Sequence, residues 1–152
     1  MKIIQLISCL LLTCFAKGQE LKLMLPVGHT NGVTTAMFSP DGKKIVTASM
    51  DGTAKIWDVA TGVLLADLRG QLSYVYTASF SPDGTKIVTA SYDYTAKIWD
   101  AATGVLFADL KGHTNGVNTA SFSPDGKKIV TASGDNTAKI WDAATGALLA
   151  SL

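Results

Sequence analysis

One block of text is written three times in this chain. Trp57, Trp99 and Trp141 stand 42 residues apart, and each is followed by an aspartate, Asp58, Asp100 or Asp142. Ser39-Pro40-Asp41-Gly42 returns at Ser81 and at Ser123, and Thr53-Ala54-Lys55-Ile56-Trp57-Asp58 returns unchanged at Thr95 and at Thr137. The copies run over 28–69, 70–111 and 112–152. A repeat of this length restricts the fold to a stack of like units, each too small to bury its apolar surface without a neighbour.

Each copy contains four short strand-like runs between turn residues. In the first copy these are Val33 to Ser39, Ile45 to Ser49, Thr53 to Val59 and Val63 to Leu68. Pro40-Asp41-Gly42, Asp51-Gly52 and Thr61-Gly62 separate them; Pro pre-sets φ at such a turn and Gly accepts a positive one. Tight turns between adjacent runs predict a four-stranded antiparallel sheet, so the fold class is all-β. The first run of each copy is rich in Thr, Ala and Ser, which suits a strand at a crowded centre. Asp67, Arg69, Asp109 and Lys111 fall on or just after the outermost strands, where charge discourages edge-to-edge pairing. Lys43, Lys44, Lys86, Lys127 and Lys128 flank the Pro-Asp-Gly turns and are expected in solvent.

The Gly-His start, the Trp-Asp end and the repeat length resemble the WD40 family of β-propellers, over nearly the whole chain after its first residues. The resemblance implies three four-stranded antiparallel blades forming a partial propeller. It also implies a hydrogen-bond chain in each blade, running from a His through a hydroxyl and the turn Asp to the Trp indole. Carried over, blade one offers His29, Thr47, Asp51 and Trp57, and blade three offers His113, Thr131, Asp135 and Trp141. Ser49 and Ser133 share a face with the threonines and are second candidates for the hydroxyl. Blade two keeps Thr89, Asp93 and Trp99 but has Gln71 in place of the His, so its network is expected to be incomplete or rebuilt and the blade to be the least stable. A Ser-His-Asp catalytic reading is disfavoured because the group recurs in every blade and ends on a Trp. The two histidines lie in different blades without ligand spacing, so no metal and no cofactor is called for.

Comparison of the copies with each other shows where the framework is free to vary. One set of differences precedes and enters the first strand: Thr30/Leu72/Thr114, Asn31/Ser73/Asn115, Gly32/Tyr74/Gly116 and Thr34/Tyr76/Asn118. The other flanks the turn between the second and third strands: Met50/Tyr92/Gly134 and Gly52/Tyr94/Asn136. In an antiparallel blade both sets fall at one end, and the constant Pro-Asp-Gly and Thr-Gly turns fall at the other. The variable end resembles the partner-binding face of WD40 proteins. Tyr74, Tyr76, Tyr92 and Tyr94, with Met50 and Asn118 beside them, are the candidate contact residues, because tyrosine supplies rigid area with a polar tip. Drift after duplication is the competing account of the same tyrosines.

Residues 1–18 read as an export signal. Lys2 precedes an apolar run through Phe15, and Ala16-Lys17-Gly18 fits a cleavage site before Gln19. The run is short for a bilayer span, which needs roughly 20 residues, so no stable membrane span is expected after cleavage. A buried first strand or a membrane anchor is the competing structural reading. Cys9 and Cys14 are the only cysteines, so the mature chain would have no disulfide and no thiol nucleophile. Lipoprotein anchoring through Cys14 is an alternative that Thr13 and Phe15 match poorly. The expected location is periplasmic or secreted.

Three blades are fewer than the four to eight with which propellers close. The segment 19–27 looks like the outer strand of a preceding blade, yet Ala147 to Leu152 already supplies that strand for the last blade. The expected resolutions are a homodimer forming a six-bladed ring, a shortened copy of a longer array, or capping by another chain. The net charge of +1 carries no basic stripe, so nucleic acid is not an expected partner. The leading expectation is a non-catalytic scaffold that binds a protein or peptide. An envelope propeller enzyme, a carbohydrate-binding protein, or a fragment of a larger WD40 protein are the alternatives.

Overall fold

The computed structural model describes residues 28–152. The export signal expected over 1–18 and the lead-in strand over 19–27 lie outside the described residues.

Twelve strands form three sheets. Blade one holds β1 (Val33–Phe38), β2 (Lys44–Ser49), β3 (Thr53–Asp58) and β4 (Leu64–Arg69). Blade two holds β5 (Val75–Phe80), β6 (Lys86–Ser91), β7 (Ala96–Asp100) and β8 (Leu106–Leu110). Blade three holds β9 (Val117–Phe122), β10 (Lys128–Ser133), β11 (Ala138–Asp142) and β12 (Leu148–Ser151). In each sheet the strands lie side by side in chain order, all antiparallel. The expected all-β, four-stranded blades are thus present, as an open array.

The turns form for local reasons. At the first, Ser39 Oγ donates to Asp41 Oδ1 (2.6 Å), Asp41 accepts from the Lys43 amide (3.0 Å), and Gly42 takes φ +69°. The same arrangement recurs at Ser81-Asp83 and Ser123-Asp125. Beside it at the same end of the blade, in the turn between the third and fourth strands, Thr61 N and Oγ donate to Asp58 Oδ1 (2.8 and 2.7 Å), and Asp100 and Asp142 repeat this.

Strand alternation gives each blade two unlike faces. In blade one Trp57 pairs with Ile45 on one face, and Ile56 pairs with Val46 on the other. We call these the tryptophan face and the isoleucine face. The isoleucine face of one blade packs on the tryptophan face of the next. Val46, Ala48, Ala54, Ile56 and Leu68 meet Val75, Ala78, Ile87, Trp99 and Ala101 in one core cluster. The corresponding residues of blades two and three form the second, with Ile98 and Leu110 against Ile129 and Trp141. The first strands lie together at the centre: Thr34 Oγ donates to the Val75 carbonyl (2.7 Å) and the Ala78 amide donates to Thr35 Oγ (3.3 Å).

Two readings of surface charge change. Lys44 and Lys86 are not simply solvated, because their ammonium groups cross to the next blade and donate to the carbonyls of Ala101 (3.2 Å) and Ala143 (2.8 Å). Asp67 and Asp109 do more than blunt an edge. Each neutralises a buried lysine on the adjacent strand, Lys55–Asp67 at 2.7 Å and Lys97–Asp109 at 2.8 Å. In blade three Ser151 takes this place and accepts from the buried Lys139 (2.9 Å).

Candidate functional site

The loop leading into the first strand and the turn joining the second and third strands meet at one end of each blade. Backbone bonds tie them: Met50 N to Gly32 O (2.9 Å), Tyr92 N to Tyr74 O (2.9 Å) and Gly134 N to Gly116 O (3.0 Å). Under these loops lies the hydrogen-bond chain. In blade one the Trp57 indole donates to Thr47 Oγ (2.8 Å), which sits 2.7 Å from His29 Nε2, and His29 Nδ1 lies 2.9 Å from Asp51. Thr47 has one proton, and Trp57 occupies an acceptor site. The Asp51 carboxylate can only accept, so Nδ1–H donates to it; in the neutral ring Nε2 is then the acceptor and takes the hydroxyl proton. Blade three repeats the chain through Trp141, Thr131, His113 and Asp135 at 2.7–2.9 Å.

Ser49 and Ser133 are not the hydroxyls of this chain. Ser49 accepts from the Asp51 amide (3.0 Å) and donates to the Asn31 carbonyl (3.1 Å), so it braces the two loops, and Ser133 does the same. Thr53, Thr95 and Thr137 were missed from sequence. Each donates through its hydroxyl to the turn aspartate at 2.7 Å, and each amide donates to the same oxygen. An Asp followed two residues later by Thr in every copy was the available signal. Burial pushes the Asp51 carboxyl up, but hydrogen bonds from the Thr53 hydroxyl, the Thr30 amide and His29 outweigh it and hold the group well below the usual carboxylate range. The same balance of burial against Thr137, Thr114 and His113 holds Asp135 down.

In blade two the network is rebuilt rather than broken. The Gln71 carbonyl accepts from Thr89 Oγ (2.9 Å) and its amide donates to Asp93 Oδ2 (2.7 Å), while the Trp99 indole donates to Thr89 (2.9 Å). The opposite orientation would set the amide oxygen against the carboxylate. Gln thus presents an acceptor and a donor where His presents Nε2 and Nδ1–H.

Above this network the four tyrosines come together around Tyr92. Its ring lies 6.5 Å from Tyr74, 6.1 Å from Tyr76 and 6.2 Å from Tyr94, the last two edge-to-face. Tyr74, Tyr92 and Tyr94 are each about half exposed. Tyr92 also leans on blade three, where a Cβ on Gly116 would fall 2.9 Å from its ring. Tyr94 holds a left-handed backbone, φ +72°, where blade one has Gly52. Such a conformation is costly for a bulky residue, so it marks a position held by its surroundings. Beside the tyrosines a cleft of about 460 Å³ opens between blades one and two, lined by Met50, Asp51 and Gly52 on one side and Gln71, Leu72, Ser73, Tyr74 and Tyr92 on the other. Leu72, left out of the sequence-based set, stands at its rim 91% exposed. Asn118 lies exposed on β9 and is not among the cleft-lining residues.

No group of three or more His, Cys, Asp or Glu side chains suited to a metal ion occurs among the described residues. No helix among them is long and apolar enough to cross a membrane.

Sheets of four antiparallel strands stacked face to face, each locked by a chain from Trp through a Thr hydroxyl and a His or Gln to Asp, define a repeat protein built of β-propeller blades. The family description "WD domain, G-beta repeat" matches residues 19–58, 62–100 and 104–142. This chain belongs to the WD40 repeat family. It is 45% identical over 47 residues to WD repeat-containing protein 86 of Homo sapiens, covering 31% of this chain and 12% of that one. It is 48% identical over 42 residues to the target of rapamycin complex subunit wat1 of Schizosaccharomyces pombe, 28% of this chain and 13% of that one. A third relative is U3 small nucleolar RNA-associated protein 21 of Saccharomyces cerevisiae, 51% identical over 35 residues, 23% of this chain and 4% of that one. The chain thus spans only a small fraction of the length of these relatives.

Proposed function

We propose that the chain is a non-catalytic interaction scaffold that presents the tyrosine-lined end of blade two to a protein or peptide. The observation that carries this reading is the convergence of Tyr74, Tyr76, Tyr92 and Tyr94 beside an open cleft rimmed by the exposed Leu72. Rigid aromatic area with polar tips next to an exposed aliphatic group suits an extended peptide that inserts one apolar side chain. The name of the wat1 relative makes that protein a complex subunit, which is in keeping with this. The Lys2-to-Gly18 pattern supports export to the periplasm or the medium. In the same reading two copies share one six-bladed ring, which would present two tyrosine ends on one side.

The test uses peptides selected from a displayed library on the wild-type protein. Tyr74→Ala and Tyr92→Ala are each expected to weaken their binding by more than about tenfold, as for a residue central to an interface. Peptides that bind both variants with unchanged affinity would remove the tyrosine end as the site.

A further inference from the structure

The two ends of the blade array are unlike, and each matches what the other lacks. Two junctions between blades exist, and they use one set of contacts. At both, an isoleucine face seats on a tryptophan face. A lysine at the start of the second strand reaches the carbonyl two residues after the next blade's Trp, as Lys44 does to Ala101 and Lys86 to Ala143. A turn glycine also closes on the preceding blade: a Cβ on Gly104 would lie 2.9 Å from that of Ala66, and one on Gly146 would lie 2.9 Å from that of Ala108.

Each end of the array carries half of this set. On the tryptophan face of blade one, Val33 is 55% exposed, whereas Val75 and Val117 in its place are fully buried. Val59, in the place of Ala101 and Ala143, is exposed as well. On the isoleucine face of blade three, Val130 is 43% exposed, whereas Val46 and Val88 are fully buried. Lys128 stands exposed where Lys44 and Lys86 cross. Among the described residues nothing lies within 4 Å of a Cβ on Gly62, which occupies the place of Gly104 and Gly146. Among the described residues nothing covers these two apolar faces, and such faces are an association liability.

We propose that the isoleucine face of blade three seats on the tryptophan face of blade one of a second copy. Lys128 then donates to the Val59 carbonyl of that copy, and Gly62 of that copy closes over Ala150. The occupant is a second copy because its blade one offers the same face that blades two and three already use, down to the lysine-accepting carbonyl. Such an interface joins unlike surfaces, so it either closes into a ring or extends. This inference rests on the two-copy reading and is independent of the tyrosine patch.

The test is the solution mass of the full chain, measured by sedimentation over a range of concentrations. The wild type is expected to sediment as a dimer. Val33→Asp and Val130→Asp change residues that are exposed in the single chain, so circular dichroism should show both folded. Each alone is expected to raise the dissociation constant by more than about tenfold, since an unpaired carboxylate is costly in an apolar contact. Mixing the two variants should restore a pair, because one sound Val130-type face then meets one sound Val33-type face. A monomeric wild type overturns both the interface and the two-copy reading. A dimer that either variant leaves intact, or that mixing fails to restore, overturns the interface alone. A mass that climbs with concentration supports the face pairing and overturns the closed ring.

Discussion

At the scale of single residues, the polar chain in each blade works by complementarity of protons rather than by residue identity. Thr89 can donate to a glutamine carbonyl as Thr131 donates to a histidine nitrogen, and the indole of Trp99 or Trp141 then has its acceptor. Losing the shared hydroxyl is different, because it strands two groups at once. Thr131→Val should destabilise by about 2–3 kcal/mol, leaving the Trp141 indole and His113 without their partner. Gln71→Ala should cost about 1–3 kcal/mol, and Gln71→His should lie within about 1 kcal/mol of wild type. Denaturant melts of the three variants check this. A Gln71→Ala protein as stable as wild type would mean that blade two does not use its network.

At the scale of elements, the contacts that define the blade stack are made by turns as much as by strands. Gly104 has φ +72° and sits against Ala66, while Gly62 has nearly the same φ, +68°, and open space around it. Alanine at either position meets the left-handed backbone, a cost of about 1 kcal/mol. Only Gly104→Ala must also push two sheets apart, adding about 1–3 kcal/mol. Melts of the two variants at concentrations low enough to keep the chain single should show that difference. At high concentration Gly62→Ala should approach Gly104→Ala if a second copy fills the space.

At the scale of the whole molecule, the aspartates set the response to acid. Asp51 and Asp135 are joined by the turn residues Asp41, Asp83 and Asp125, each lowered first by its Ser hydroxyl. Asp58, Asp100 and Asp142 are lowered first by their Thr hydroxyls. A carboxyl whose folded pKa lies below its unfolded value near 3.9 binds fewer protons when folded. Its contribution is therefore present above that value and is lost as pH falls below it. The melting temperature should accordingly be insensitive to these groups between about pH 5 and 8 and should fall below about pH 4. A protein that melts higher at pH 3 than at pH 6 would contradict the hydrogen-bonded turns.

The blades were legible in the sequence because their causes are local and are written three times: alternation, turn residues at constant offsets, and a Trp-Asp end. Two copies of the His-to-Trp chain were legible for the same reason. The variable end was legible only because the copies could be compared with one another, which singled out the tyrosines but did not show that their rings gather on Tyr92. Other features depended on which atoms meet across space. The role of Thr53 is local and was simply overlooked, whereas the orientation of the Gln71 amide and the reach of Lys44 onto Ala101 each require a partner far along the chain. The same holds for the ends. The sequence by itself determined that each blade has two apolar faces, since consecutive apolar residues such as Ile45-Val46 and Ile56-Trp57 must point to opposite sides of a strand. Only the tertiary structure decided which face seats on which, because that depends on the Trp, the small residues opposite it and the crossing lysine meeting at one junction.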